Sequence, residues 1–124
     1  MRETIMTNLQ EEEMMAGYLT THVLDTAKGV PAAGLKIELY RLDAKTRTHL
    51  KTLTTNADGR TDEQILPEPE FETGTYELIF HAGDYLGTRD FLDVIPLRFT
   101  MSEPSHYHVP LLLSPYGYST YRGS

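Results

Sequence analysis

From Gly17 onward the chain alternates apolar and polar residues with a period of two. Leu19 and Val23 alternate with Tyr18, Thr20, His22 and Leu24, and Leu35, Ile37 and Leu39 with Lys36, Glu38 and Tyr40. Tyr76, Leu78 and Phe80 alternate with Thr75, Glu77 and Ile79, and Ile95, Leu97 and Phe99 with Val94, Pro96 and Arg98. The last long run sets Tyr107, Val109, Leu111 and Leu113 against His106, His108, Pro110 and Leu112. A pleated strand sends successive side chains to opposite faces, so each run predicts a strand with one face on a core. Turn residues separate the runs: Lys28-Gly29 and Gly34, Asn56-Ala57-Asp58-Gly59 after a weaker strand around 50–55, then Gly74, Gly83, Gly87, Pro104 and Pro115-Tyr116-Gly117. The span Ala82 to Thr88 is the one place that suits a helix, and a short one. Seven or eight short strands at this spacing predict an all-β sandwich. Residues 1–16 lack the pattern, although Thr7 and Gln10 have capping-box spacing. They read as a flexible N-terminal extension, with residues 17–124 as one domain.

Composition narrows the chemistry. A chain of 124 residues suits a single domain able to bury its own core. With no cysteine there is no disulfide scaffold, no thiolate nucleophile and no Cys-ligated zinc. A formal charge of -7 argues against nucleic-acid binding, which usually requires a basic face. The apolar run Val109 to Leu113 is too short to span a bilayer. Met1 to Ala16 carries Glu11-Glu12-Glu13 and lacks the basic start and apolar stretch of a secretory signal, so a cytoplasmic location is expected.

Position singles out three of the five histidines. If the Leu and Val faces point inward, His22 on the first strand and His106 and His108 on the last long strand point outward, together with Leu24, Pro110 and Leu112. An outer face mixing histidines and apolar residues reads as an assembly interface or the floor of a cleft. The plain alternative is three hydrogen-bonded surface histidines. Another is zinc chelation by His106 and His108, at i and i+2 on one face, with His22; no fixed spacing motif supports it, and neither metal nor cofactor is expected. There is no Gly-x-Ser-x-Gly elbow for a serine nucleophile and no Gly-rich phosphate loop. Arg60, just after the Asp58-Gly59 turn, stands at a sheet end as an ordinary surface arginine or as a cation for a carbonyl or oxyanion. The tail keeps strand-like alternation to Arg122, either as an edge strand or as part of a site, with an aromatic ring, a guanidinium and a carboxylate together.

The segment His106-Tyr107-His108-Val109-Pro110-Leu111-Leu112-Leu113-Ser114-Pro115-Tyr116-Gly117-Tyr118-Ser119-Thr120-Tyr121-Arg122-Gly123-Ser124 resembles the C-terminal signature of 5-hydroxyisourate hydrolases, the transthyretin-related proteins. Leu19-Thr20-Thr21-His22-Val23-Leu24-Asp25-Thr26 resembles their other signature, and Asn56-Ala57-Asp58-Gly59-Arg60 and Gly74-Thr75-Tyr76-Glu77-Leu78 also fit. The resemblance covers roughly residues 18–124. It implies a transthyretin-like (prealbumin-like) sandwich of two four-stranded sheets with one short helix. It also implies a homotetramer, a dimer of dimers, with active sites in a channel where dimers meet. The implied activity is hydrolysis of 5-hydroxyisourate to 2-oxo-4-hydroxy-4-carboxy-5-ureidoimidazoline. His22, Arg60 and His108 match the family's catalytic and substrate-binding His, Arg and His, and Tyr121, Arg122, Gly123 and Ser124 match the tetrapeptide lining the site. His106 receives no role from the resemblance. A transthyretin-type carrier without catalysis is the competing implication, because one fold serves both.

Overall fold

The computed structural model describes residues 17–123; the expected N-terminal extension, its Thr7–Gln10 spacing and the terminal Ser124 lie outside the described residues. Along the chain run β1 (Tyr18–Asp25), β2 (Val30–Pro31), β3 (Lys36–Leu42), β4 (Arg47–Thr54), β5 (Gly74–Phe80), α1 (Ala82–Leu86), β6 (Ile95–Met101), β7 (His106–Ser114) and β8 (Gly117–Thr120). They form two four-stranded sheets, ordered β2-β1-β7-β8 and β4-β3-β5-β6. The expected sandwich with one short helix is what the chain adopts. Among the described residues no helix is long and apolar enough to cross a membrane.

The alternation maps onto the layers as expected. Leu19 and Val23 of β1, Ile37 and Leu39 of β3, Leu78 and Phe80 of β5, and Leu111 and Leu113 of β7 are fully buried between the sheets. Burying each such side chain contributes roughly 1.5–3 kcal/mol, so the face chosen by each strand is strongly determined. Two polar residues on the inner face of β1 carry their own partners: Thr21 donates to the Val109 carbonyl (2.7 Å), and Asp25 accepts from the Lys28 amide (3.0 Å) and the Tyr85 hydroxyl (2.8 Å).

Three details depart from the sequence pattern. The weak strand expected around 50–55 begins earlier, at Arg47. It is a Thr-rich edge strand with no buried position, so backbone pairing to β3 defines it rather than apolar alternation. Its register slips opposite Leu39/Tyr40. The two-residue β2 and the 3-10 turn Glu68–Glu70 carry no periodic signal, being too short for one.

The pairing of β1 with β7 positions the site. It is parallel, and it sets Tyr18 opposite His106, Thr20 opposite His108 and His22 opposite Pro110. A parallel pair needs a crossover connection. Here the connection carries the whole second sheet, so residues more than eighty positions apart meet on one face.

Candidate active site

The outward face of β1 and β7 forms the floor of an open cavity of about 450 Å³, lined among others by Thr20, Arg60, Asp62, Glu63, His106 and His108. Its wall is the segment 60–64, stapled to β1 at both ends. At one end the Val23 amide donates to the Gly59 carbonyl (2.8 Å). At the other, Leu19 and Leu66 exchange backbone hydrogen bonds of 2.9 and 3.3 Å, with Ile65 and Leu66 buried in the core. Gly59 makes the tight approach feasible: its φ is +75°, and a side chain there would collide with the Val23 carbonyl. Arg60 is the next residue, so this turn delivers its guanidinium to the cavity.

Each outward histidine is held by a specific partner. His22 Nε2 lies 2.9 Å from the Asp58 carbonyl oxygen. A carbonyl only accepts, so Nε2 carries the proton and the neutral ring keeps its lone pair on Nδ1. His106 Nε2 and His108 Nδ1 both reach the Thr20 hydroxyl, at 2.7 and 2.8 Å. The His106 ring also stacks on Tyr18, with centroids 4.0 Å apart. Burial foremost, then the charges of His106, Arg60 and His22, pushes His108 below its ordinary value of 6.5. Burial, followed by the nearby Arg122, does the same to His106. Both rings are therefore neutral at neutral pH, the form needed to accept a proton.

The tail divides. The Gly123 amide donates to the His108 carbonyl (2.7 Å), which lays the backbone of Gly123 against the imidazole. Tyr121 and Arg122 do not line this cavity; they line a second groove, of about 270 Å³, with Pro96, Leu97 and Phe99. Arg122 stacks over Tyr107 (4.1 Å) and donates to the Ser105 hydroxyl (3.0 Å) and the His106 carbonyl (3.2 Å), bracing the start of β7.

His22, Arg60, His108 and Gly123 thus gather at one site. His106 joins them, although the resemblance assigned it nothing. Thr20 and the wall residues Asp62 and Glu63 escaped the sequence reading. Thr20 had a signal: it lies two residues before His22, which on a strand puts both on one face. The wall had none, because a loop's course is not written in any period. Among the described residues no three His, Asp or Glu side chains form a group able to hold a metal ion. One nitrogen of each ring, His106 Nε2 and His108 Nδ1, is engaged by Thr20.

Known proteins are similar to this chain in sequence and fold. The family model described as HIUase/Transthyretin family matches residues 19–123. The 5-hydroxyisourate hydrolase of Mesorhizobium japonicum is 66% identical over 115 residues, covering 87% of this chain and 93% of the relative. Among solved structures, an (S)-allantoin synthase is 45% identical with a TM-score of 0.79, over 87% of this chain and 44% of that longer one. Sea bream transthyretin in complex with thyroxine is 29% identical with a TM-score of 0.77, over 85% of this chain and 93% of its own. With both sheets, the site strands and the tail as far as Gly123 inside the match, the chain belongs to the HIUase/Transthyretin family.

Proposed function

We propose that this protein hydrolyses 5-hydroxyisourate, opening its six-membered ring at an amide bond. The observation that carries the reading is the convergence of His22, Arg60 and the tail-covered His108 on one outward face, in a chain 66% identical to a 5-hydroxyisourate hydrolase. A thyroxine carrier has no need of two imidazoles beside a guanidinium.

Water is the nucleophile, because neither a serine elbow nor a cysteine is present. A histidine takes a proton as the water oxygen bonds to the ring carbonyl carbon. The C–N bond then breaks, the nitrogen receives a proton, and the ring-opened carboxylate, 2-oxo-4-hydroxy-4-carboxy-5-ureidoimidazoline, leaves. Arg60 orients the ring and offsets the charge developing on the carbonyl oxygen. His108 acts through Nε2 as base and then as acid, and His22 steers the water through Nδ1, these being the nitrogens not occupied by Thr20 and Asp58. Gly123 and Ser124 of the tail close the pocket and orient the substrate, while Tyr121 and Arg122 support them from the neighbouring groove.

The working enzyme is a cytoplasmic homotetramer, a dimer of dimers, with the histidine face turned toward a neighbouring subunit. The half-buried Leu24 and Leu112 on that face support this, since an apolar outer face calls for a cover. Light scattering checks the assembly, expecting four times the chain mass of 14.1 kDa. The deciding experiment follows the ultraviolet decay of freshly generated 5-hydroxyisourate with and without the protein, reading product handedness by circular dichroism. Acceleration with one enantiomer in excess is expected. Decay at the uncatalysed rate, with tight binding of an apolar ligand, would establish the carrier instead.

A further inference from the structure

We propose that Thr20 and His106 form a proton relay behind His108, in which His106 holds, for part of each turnover, the positive charge created when His108 takes a proton from water. The inference rests on the hydrolase reading above. It starts from a count of protons. One hydroxyl, Thr20 Oγ1, meets two imidazole nitrogens, His106 Nε2 at 2.7 Å and His108 Nδ1 at 2.8 Å. A hydroxyl has one proton to give, so one ring accepts from it and the other donates to it. When His108 Nδ1–H donates to Oγ1 and Oγ1–H donates to His106 Nε2, His108 Nε2 is left with its lone pair. That is the base form.

The bookkeeping closes over one cycle. His108 Nε2 takes a proton from the attacking water and becomes an imidazolium. Its Nδ1 proton passes to Oγ1 while the Oγ1 proton passes to His106 Nε2. His108 is then neutral with a proton on Nε2, and His106 carries the charge. As the C–N bond breaks, His108 Nε2 gives its proton to the leaving nitrogen, and the two inner protons return by the same path. Both rings end as they began, so no external acid is consumed. One histidine can thus serve as base and then as acid without releasing a proton to solvent.

The surroundings suit temporary storage. His106 is stacked on Tyr18 from β1, with Arg122 from the tail on its backbone carbonyl. Around His108 stand His22, Arg60 and His106, with Asp62 and Glu63 on the cavity wall. The positive neighbours and burial disfavour charge on either ring, which drives the stored proton back.

Thr20 and His106 act through His108, so they are positioning residues, and the test must separate relay from scaffold. Thr20→Ser keeps the hydroxyl; Thr20→Val keeps the shape and removes it; His106→Gln keeps a hydrogen-bond partner that cannot hold a proton. Thr20→Ser is expected within about twofold of wild type. Thr20→Val and His106→Gln are expected to lose kcat on the order of 10–100-fold, part of the usual share of acid–base catalysis, with KM little changed and the acid limb of the pH–rate profile moved. Wild-type kcat and an unmoved limb in both variants would overturn the relay. Nitrogen-15 NMR of the histidines reads it independently of turnover. Both neutral rings are expected to hold their proton on Nδ1, and His108 to move toward the Nε2–H form in Thr20→Val. Unchanged tautomers in that variant would also overturn it. A wild-type protein with these tautomers but no hydrolysis would sink the substrate reading while leaving the wiring intact.

Discussion

The backbone of Gly123 rests on the edge of the His108 imidazole: a Cβ built there would lie 2.6 Å from His108 Cδ2. The contact is held by the Gly123 amide, which donates to the carbonyl of the same histidine. Gly123→Ala must therefore displace either the ring or the tail. We expect kcat/KM to fall by about ten- to a hundredfold, since a misplacement near 1 Å is worth that much. The melting temperature should stay nearly constant, because the residue is outside the core. Deleting residues 121–124 should have at least as large an effect. Steady-state kinetics beside a thermal melt checks both, and wild-type turnover by the truncated protein would remove the tail from the site.

His22→Ala and His108→Ala should fold and assemble but lose about 10²–10⁴ in kcat, the usual share of a positioned acid or base. Arg60→Ala should raise the barrier by about 2–4 kcal/mol. Arg60→Lys should recover little of this, because an ammonium lacks the planar two-pronged geometry of a guanidinium. Comparing kcat for the four variants at saturating substrate distinguishes these losses from weaker binding.

Gly59→Ala tests how Arg60 is delivered. The left-handed backbone conformation alone costs about 1–2 kcal/mol with a side chain present. The clash with the Val23 carbonyl adds to it. Here stability and activity should fall together, unlike Gly123→Ala, and chemical denaturation run with the activity assay reads both.

The depressed values of His106 and His108 make stability pH-dependent. Between 6.5, their ordinary value, and the lower folded values, the unfolded chain binds more protons than the folded one. Stability is therefore undiminished by these groups above pH 6.5, declines as pH falls below it, and levels once the folded rings are protonated. Urea midpoints from pH 8 to pH 5 should show the decline, with a shallower slope in His108→Gln. The activity should lose its base over the same acid range; a flat rate profile from pH 5 to 8 would count against a histidine mechanism.

Tyr85→Phe provides a contrast away from the site. The Tyr85 hydroxyl donates to the buried Asp25 carboxylate at 2.8 Å, tying α1 to β1. Burial, then the hydrogen bond and charge of Asp25, pushes the phenol up to about 12, so it remains a donor throughout the working range. Removing it leaves a buried carboxylate short of a partner, at about 1–3 kcal/mol. The melting temperature should drop while kcat holds, because Asp25 faces the core and not the cavity.

Local order is readable from composition and period. Alternation in β1, β3, β5, β6 and β7 follows from a pleat with one face buried, and each of those strands turned the expected side inward. The same logic put His22, His106 and His108 outward before any pairing was known. It marked β4 only weakly and too late, because an exposed edge strand has little apolar face to reveal it, and it missed β2 and the wall 60–64, whose course depends on anchors elsewhere. Motif likeness pointed to Arg60 and the tail, but not to how they sit. Those placements come from long-range pairing. The parallel register of β1 with β7 brings the Thr20 hydroxyl between His106 and His108, and the staple at Gly59 aims Arg60. The tail splits at Arg122, with Gly123 on His108 and the Arg122 side chain over Tyr107. A period of two tells which face a residue takes; which residues share that face across the sheet is set by pairing between segments far apart in the chain, and no local pattern carries that information.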